Sequence, residues 1–393
     1  DFLTDPIETE IDGEWVTAQG TTLGADNGIG VALALSVLQD KTLRHGPLEA
    51  LITYDEETGM TGANSLKAGI LKGDILLNLD SEEEGELCTG CAGGVDGAAD
   101  FAYRTYKTPE GFVGYKITVK GLKGGHSGMD ISLFRGNANK IICRLLEAVI
   151  SEYDVKVASI TGGSLRNAIP FEAEAEILVP SADSRKVKAL VEKKFEESKF
   201  EYQYSDPDMI LIYEKQSAPA ARYISPKVIG KAVKAILACP HGVQRMSDTL
   251  PGLTETSTNM AIVRTQKGHL TVHSLTRSSI DAAKMYLADS IRYVFELAGA
   301  KYSTSGAYSG WAPKLGTPMI KVLEDTFKSL FGKELKITAT HGGLECAIMG
   351  AKYPNWEMVS IGPTILYPHS PDERVNIASF ADTWKILVAV VEL

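Results

Sequence analysis

Three consecutive acids, Asp55, Glu56 and Glu57, follow the apolar pair Leu51–Ile52 closely and lead straight into Thr58-Gly59. Adjacent carboxylates repel, and a fold keeps them together where water solvates them or a cation lies among them. Taken alone, such a run is a wet surface loop. It does not stand alone. Asp80 closes the apolar segment ILLNLD, Asp26 sits in the Gly-rich stretch TLGADNGIG, and His369 lies in a Pro-flanked loop after the apolar segment 358–361. Carboxylates and an imidazole at converging strand ends suit a Zn²⁺-type site, and several carboxylates suit two ions. Two ions about 3.5–4 Å apart need a bridging carboxylate and end ligands for each. An adjacent Glu pair divides the labour, one side chain turning to the metal while its neighbour acts as general base on water. Singly, Asp26 reads as a helix cap, Asp80 as a turn residue and His369 as a hydrogen-bonded loop histidine. Their common place at one sheet edge carries the metal reading.

The elements that must position these residues alternate. Residues 1–20 are acidic and irregular, with a small ribbon around Trp15 and Val16. Asp26 or Asn27 is placed to cap a helix that is apolar nearly all round and therefore buried. A strand LEALITY precedes the acids, a short helix spans 62–69, and a second apolar strand ends at Asp80. Continuous apolar strands separated by helices predict a mostly parallel sheet covered on both faces, with ligands collecting beyond the strands' carboxyl ends. Near Gly93-Gly94 the texture changes to alternating strands (YKITVKG) and amphipathic helices, as in an α+β unit with a one-sided sheet. The α/β texture returns after Trp311, so one α/β domain (1–94 and 312–393) is interrupted by an inserted one (95–311).

With 393 residues, 44% hydrophobic and 23% charged, the chain has the composition of an ordinary globular protein. A net charge of −10 with no basic stripe argues against nucleic acid. No apolar run approaches the ~20 residues that span a bilayer. Five scattered cysteines argue against a disulfide scaffold and for a reducing, cytoplasmic setting. The CxxC at Cys88–Cys91 lacks a second half-site, which argues against a structural zinc.

TLGADNGIG, DEETGM, NLDSEEEGE, KGGHSG, LRNAIP, HGGLEC and GPTILYPHSPDE run in this order along the chain. Together they resemble the aminoacyl-histidine dipeptidases, carnosinase-like enzymes within the larger family of co-catalytic zinc aminopeptidases, dipeptidases and N-deacylases. The resemblance implies a zinc-exopeptidase α/β domain with an inserted lid and dimerisation domain, a homodimer, and hydrolysis of Xaa-His dipeptides. It implies two zinc ions per chain, with cobalt or manganese as substitutes. Asp26 corresponds to the bridging carboxylate, Glu57 and Asp80 to terminal ligands on either ion, and His369 to the histidine on the ion that Glu57 binds. Glu56 resembles the general base, and His126 the histidine offered to a tetrahedral oxyanion, in relatives from the other subunit. Asn167 and Arg277 resemble residues lining the substrate end of the cleft, and Glu345 one that faces substrate.

One departure from the pattern matters. The family carries a His-x-Asp pair after an earlier strand, and this sequence opens beyond that point; His45 precedes a strand and is no substitute. Either the sequence is the later part of a longer chain, or the protein no longer hydrolyses anything. The intact remaining motifs favour the first. Two rivals follow: an N-acyl-amino-acid deacylase of the same fold, and a non-catalytic binding or dimerisation protein with an incomplete metal site.

Overall fold

The computed structural model describes residues 3–393, so the first two residues of the expected 1–94 segment lie outside it. The chain forms two compact units, one made of the residues up to Ala92 together with Ser309–Leu393, the other of Gly93–Tyr308.

In the first unit a sheet has the order Lys336–Thr340, Glu86–Cys91, Glu357–Ser360, Ile75–Asn78. Its outer pairs are parallel, as the continuous apolar runs predict, and the middle pair is antiparallel through Ser360 and Cys88. Helices Pro318–Phe331 and Ile377–Val391 bury Ile320, Leu323, Phe327 and Ile386 against Leu87, Val359 and Ile361. Pro318 starts the first with a preset φ, and the Asn376 side chain caps the second by accepting the Ser379 N–H at 2.9 Å. A smaller antiparallel sheet joins the ribbon Thr9–Asp12/Trp15–Ala18 to the hairpin Ile365–Leu366/Arg374–Asn376.

Three local expectations are corrected. Residues 48–54 form no strand, because no neighbouring ladder pairs with them among the described residues, and Leu51 and Ile52 stand exposed. Helix Ala25–Gln39 is not buried all round: Leu33 and Val37 pack on Leu387 and its neighbours, while Leu35 and Leu38 face outward. The helix expected over 62–69 is cut to the single turn Thr61–Ser65, which left-handed Met60 (φ 53°) separates from a preceding turn, Glu56–Gly59.

The second unit is an antiparallel sheet. Its order is Ile210–Lys215, Phe112–Lys120, Ala173–Pro180, Lys156–Gly162, Thr254–Gln266, His269–Ser278, Gly93–Ala102 and Lys301–Tyr308, with Gly242–Met246 on Thr254–Gln266. Helices Ala138–Glu152, Ser184–Glu201, Pro226–Ala238 and Asp281–Ala298 contribute Ile141, Leu145, Val191, Ile236 and Phe295 to one core with the strand residues Ile117, Val119 and Val272. This is the one-sided burial that the alternating pattern requires.

Within that unit Lys140 closes the carbonyl end of Pro226–Ala238, its Nζ donating to Leu237 O at 3.0 Å and to Cys239 O. Beside it, His241 Nδ1 accepts the Met260 N–H at 3.3 Å. Burial, with the charge of Lys140 adding to it, pushes the His241 pKa down to about 3. The native imidazole therefore stays neutral, whereas the unfolded one takes a proton below about 6.5. Its contribution is fully present above that value and is lost as pH falls toward 3, by up to about 1.4 kcal/mol per pH unit. Urea midpoints measured from pH 7 to pH 5 should fall less steeply in His241→Gln than in the unaltered protein. Parallel slopes would refute this account.

Candidate metal centre

Of the three adjacent acids, two turn inward and one does not. Asp55, itself left-handed (φ 61°), takes hydrogen bonds from the Thr58 and Thr61 hydroxyls, which hold its carboxyl below the usual range. Glu56 and Glu57 begin the short turn and face the site. Asp26 lies near the start of helix Ala25–Gln39, at a point of non-helical backbone where the Asp26–Asn27 peptide is cis. Asn27, not Asp26, does the capping: its Oδ1 accepts the Gly30 N–H at 3.0 Å. His369 sits in the loop of the 365–376 hairpin with φ 62°. Left-handed backbone at such residues costs free energy and persists where the surroundings over-determine it.

Close backbone approach sets the strand ends. A Cβ on Gly30 would lie 2.5 Å from Leu79 O, and one on Gly362 1.6 Å from Ser81 O. Glycine at these two positions lets a helix and a strand end press against the backbone on either side of Asp80.

His369 Nε2 stands 2.9 Å from both Asp26 Oδ2 and Glu57 Oε1. The three ligand atoms lie within 4.8 Å of one another. A single ring N–H cannot serve two carboxylates fully, whereas a cation among the three atoms satisfies all of them. The residues present thus fit a metal ion. Burial alone would lower the His369 pKa, but the bond to Asp26 and the charges of Glu57 and Asp26 hold it above its usual value.

The surrounding acids carry the marks of uncompensated charge. Burial, then repulsion from Asp26, Glu56, Glu345 and Glu57, pushes Asp80 up to about 8. Burial and then Glu57, Glu345 and Asp26 raise Glu56 to about 7. Glu57 is raised by burial and by Asp26 and partly relieved by His369. Glu345 is raised by burial despite the hydrogen bond its Oε2 accepts from Thr53 Oγ1 at 2.7 Å, and its buried Oε1 has no protein partner. Asp26, Glu56, Glu57, Asp80 and Glu345 all line one cavity of about 1310 Å³ whose remaining wall is largely apolar. A bound cation would invert this pattern by stabilising every ionised form.

Two further acids bear on the centre. Glu82 is raised to about 7 by burial and then by Asp26. In the sequence it is one acid of the run Glu82-Glu83-Glu84. Glu373 is buried and bonded to the backbone of the Asp26 loop. No local signal announces such a role. Cys88 and Cys91 are not part of the centre: both are buried with Trp311 and Cys346, and burial pushes the Cys91 thiol up to about 12.

Three of the residues named from sequence belong to the second unit. His126 Nδ1 accepts the N–H groups of Gly128 (3.2 Å) and Met129 (3.1 Å), which leaves the ring proton on Nε2. Burial and then the charge of Arg277 lower its pKa. Arg277 is buried, donates through Nη1 to Tyr308 Oη at 3.1 Å, and has an unpartnered Nε. Asn167 is exposed, and its carbonyl accepts the Ser127 N–H at 2.8 Å.

Clustered carboxylates with one imidazole suit a bound metal ion. The chain belongs to peptidase family M20/M25/M40, whose family model matches residues 2–393, and it is a metallopeptidase. It is 44% identical over 392 residues to the cytosol non-specific dipeptidase of Escherichia coli strain K12, covering 100% of this chain and 81% of that protein. It superposes on the crystal structure of aminoacylhistidine dipeptidase from Vibrio alginolyticus with a TM-score of 0.93, at 46% identity over 100% of this chain and 80% of the other. Aminopeptidase PepT from Bacillus cereus shares the fold, with a TM-score of 0.52 at 16% identity.

His369→Ala should weaken Zn²⁺ binding at least tenfold in titrations of chelator-stripped protein, and should shrink the rise in Tm that added Zn²⁺ produces. Equal affinity in the two proteins would remove His369 from the centre.

Proposed function

We propose that this chain hydrolyses dipeptides, with Xaa-His types among its substrates, at a centre held by Asp26, Glu57, Asp80 and His369. The observation that carries the reading is the division of the adjacent pair: Glu57 meets His369 and Asp26, while Glu56 stays half-buried beside them. The family, and the names of the dipeptidases that this chain matches at 44% and 46% identity, support the substrate class. Zinc is the metal we assign, from the mix of one imidazole with carboxylates.

Metal ions at these ligands would supply Lewis-acid polarisation of the scissile carbonyl and acidify water. Glu56 takes a proton from the attacking water and returns it to the leaving amine. His126, its proton fixed on Nε2 by the two backbone donors at Nδ1, is suited to donate to the oxyanion of the tetrahedral intermediate. Arg277 and Asn167 are assigned to the substrate's far end, and the unpartnered Arg277 Nε supports a carboxylate as the group received there. Glu345, with one buried oxygen lacking a protein partner, is assigned to the substrate side of the acidic cavity. In this reading the working form is a homodimer, since the resemblance has His126 act on the partner's substrate. The setting is the cytosol, consistent with five free cysteines. Among the described residues no helix is long and apolar enough to cross a membrane.

Glu56→Gln should retain metal and lose about 10²–10⁴-fold in kcat on a carnosine-like dipeptide. Substantial residual turnover would remove Glu56 from its role. Faster cleavage of N-acetyl amino acids than of dipeptides would instead make the protein a deacylase.

A further inference from the structure

Glu373 lies four residues beyond His369 and is 2% exposed. Its Oε2 accepts the Gly24 N–H at 2.8 Å, and its Oε1 accepts the Asp26 N–H at 3.1 Å. Gly24 is left-handed (φ 72°), a conformation that turns nearby amides into an anion-receiving concavity. On the other side, the Glu373 N–H donates to Ser370 O at 3.1 Å, and Ser370 Oγ donates to Tyr367 O at 2.7 Å. One buried carboxylate therefore ties the loop that carries Asp26 to the loop that carries His369.

We propose that Glu373 is a positioning residue of the metal centre: it holds Asp26 by its own backbone, so that the Asp26 carboxylate and the His369 imidazole meet. The inference rests on the metal-ligand reading of Asp26, Glu57 and His369. Charge and length both matter here. Two N–H donors need two acceptor oxygens, and glutamine would set an NH₂ against one of them. Residues behind ligands commonly change metal affinity by about 10–100-fold without touching the ion.

The experiment compares the full chain with Glu373→Gln, Glu373→Asp and a control, Val375→Ala. Val375 lies in the same hairpin and packs against Ala25 and Ile365. Each protein is stripped with a chelator, melted, titrated with Zn²⁺ against a chromogenic chelator, and assayed at saturating Zn²⁺. Glu373→Gln should bind Zn²⁺ about 10–100-fold more weakly, with kcat lowered and KM little changed. Glu373→Asp, which keeps the charge on a shorter stem, should recover part of that loss. Val375→Ala should melt earlier yet keep its Zn²⁺ affinity. Should Glu373→Gln fail to fold, the Asp variant reads the same affinity. Wild-type affinity in both Glu373 variants, or an equal loss in Val375→Ala, would overturn the positioning role while leaving the centre intact. An unaltered protein that binds no Zn²⁺ would overturn both.

Discussion

Like charges crowded where water cannot fully screen them set the terms for the first unit. Around Asp26, burial and then mutual repulsion lift Glu56 and Glu82 to about 7 and Asp80 to about 8, and Glu57 is raised in the same way, while burial raises Glu345. A fold gains nothing by assembling such a group unless a cation neutralises it, since an uncompensated buried charge is among the costliest features a protein can hold. The surrounding architecture is best understood as a frame that withstands that repulsion. The middle of the sheet supplies apolar ballast, and the acids sit at the ends of strands and turns, where backbone amides and solvent moderate the cost.

The frame works through backbone geometry as much as through side chains. Asp55, Met60, Tyr367 and His369 all adopt left-handed φ values, and glycines at 30 and 362 allow main chains to touch around Asp80. Arg374 lies over the rings of Trp15 and Tyr367, at 4.9 and 5.3 Å, and steadies the base of the hairpin that presents the imidazole. Strain of this kind is tolerated because a well-packed core next door, built on Leu87, Leu323, Phe327 and Val359, resists adjustment.

Much of this was visible in the sequence, because the features involved are local. An apolar run ending in an acid announced Ile75–Asn78 and Asp80, and alternation announced Phe112–Lys120. The strand Gly93–Ala102 (GGVDGAADFA) carries none of the β-branched periodicity that marks strands, and its pairing with His269–Ser278 and Lys301–Tyr308 supplies the structure. Residues 48–54 show the converse. Their composition suits a strand, but composition cannot supply a partner, and a ladder is a property of two segments. The same limit hid Glu373, whose bonds run to main-chain atoms and leave no side-chain signature, and Glu82, which nothing in the run Glu82-Glu83-Glu84 sets apart from its neighbours. Asp26 and His369 were legible as chemistry, while their 2.9 Å meeting was not, because it depends on how two loops from opposite ends of the sequence are folded back.

That meeting spans 343 positions along the chain. At a synthesis rate of ~5–20 residues per second, a nascent polypeptide exposes Asp26 for roughly 20–70 s before the histidine that belongs beside it has even been joined. Through that interval the early acids wait without His369, and the second unit is translated whole between them and it. The centre is therefore a late event in the life of each molecule. Metal capture that uses His369 becomes a final act of closure, after the intervening unit has been translated, and any cation bound earlier is held without that imidazole.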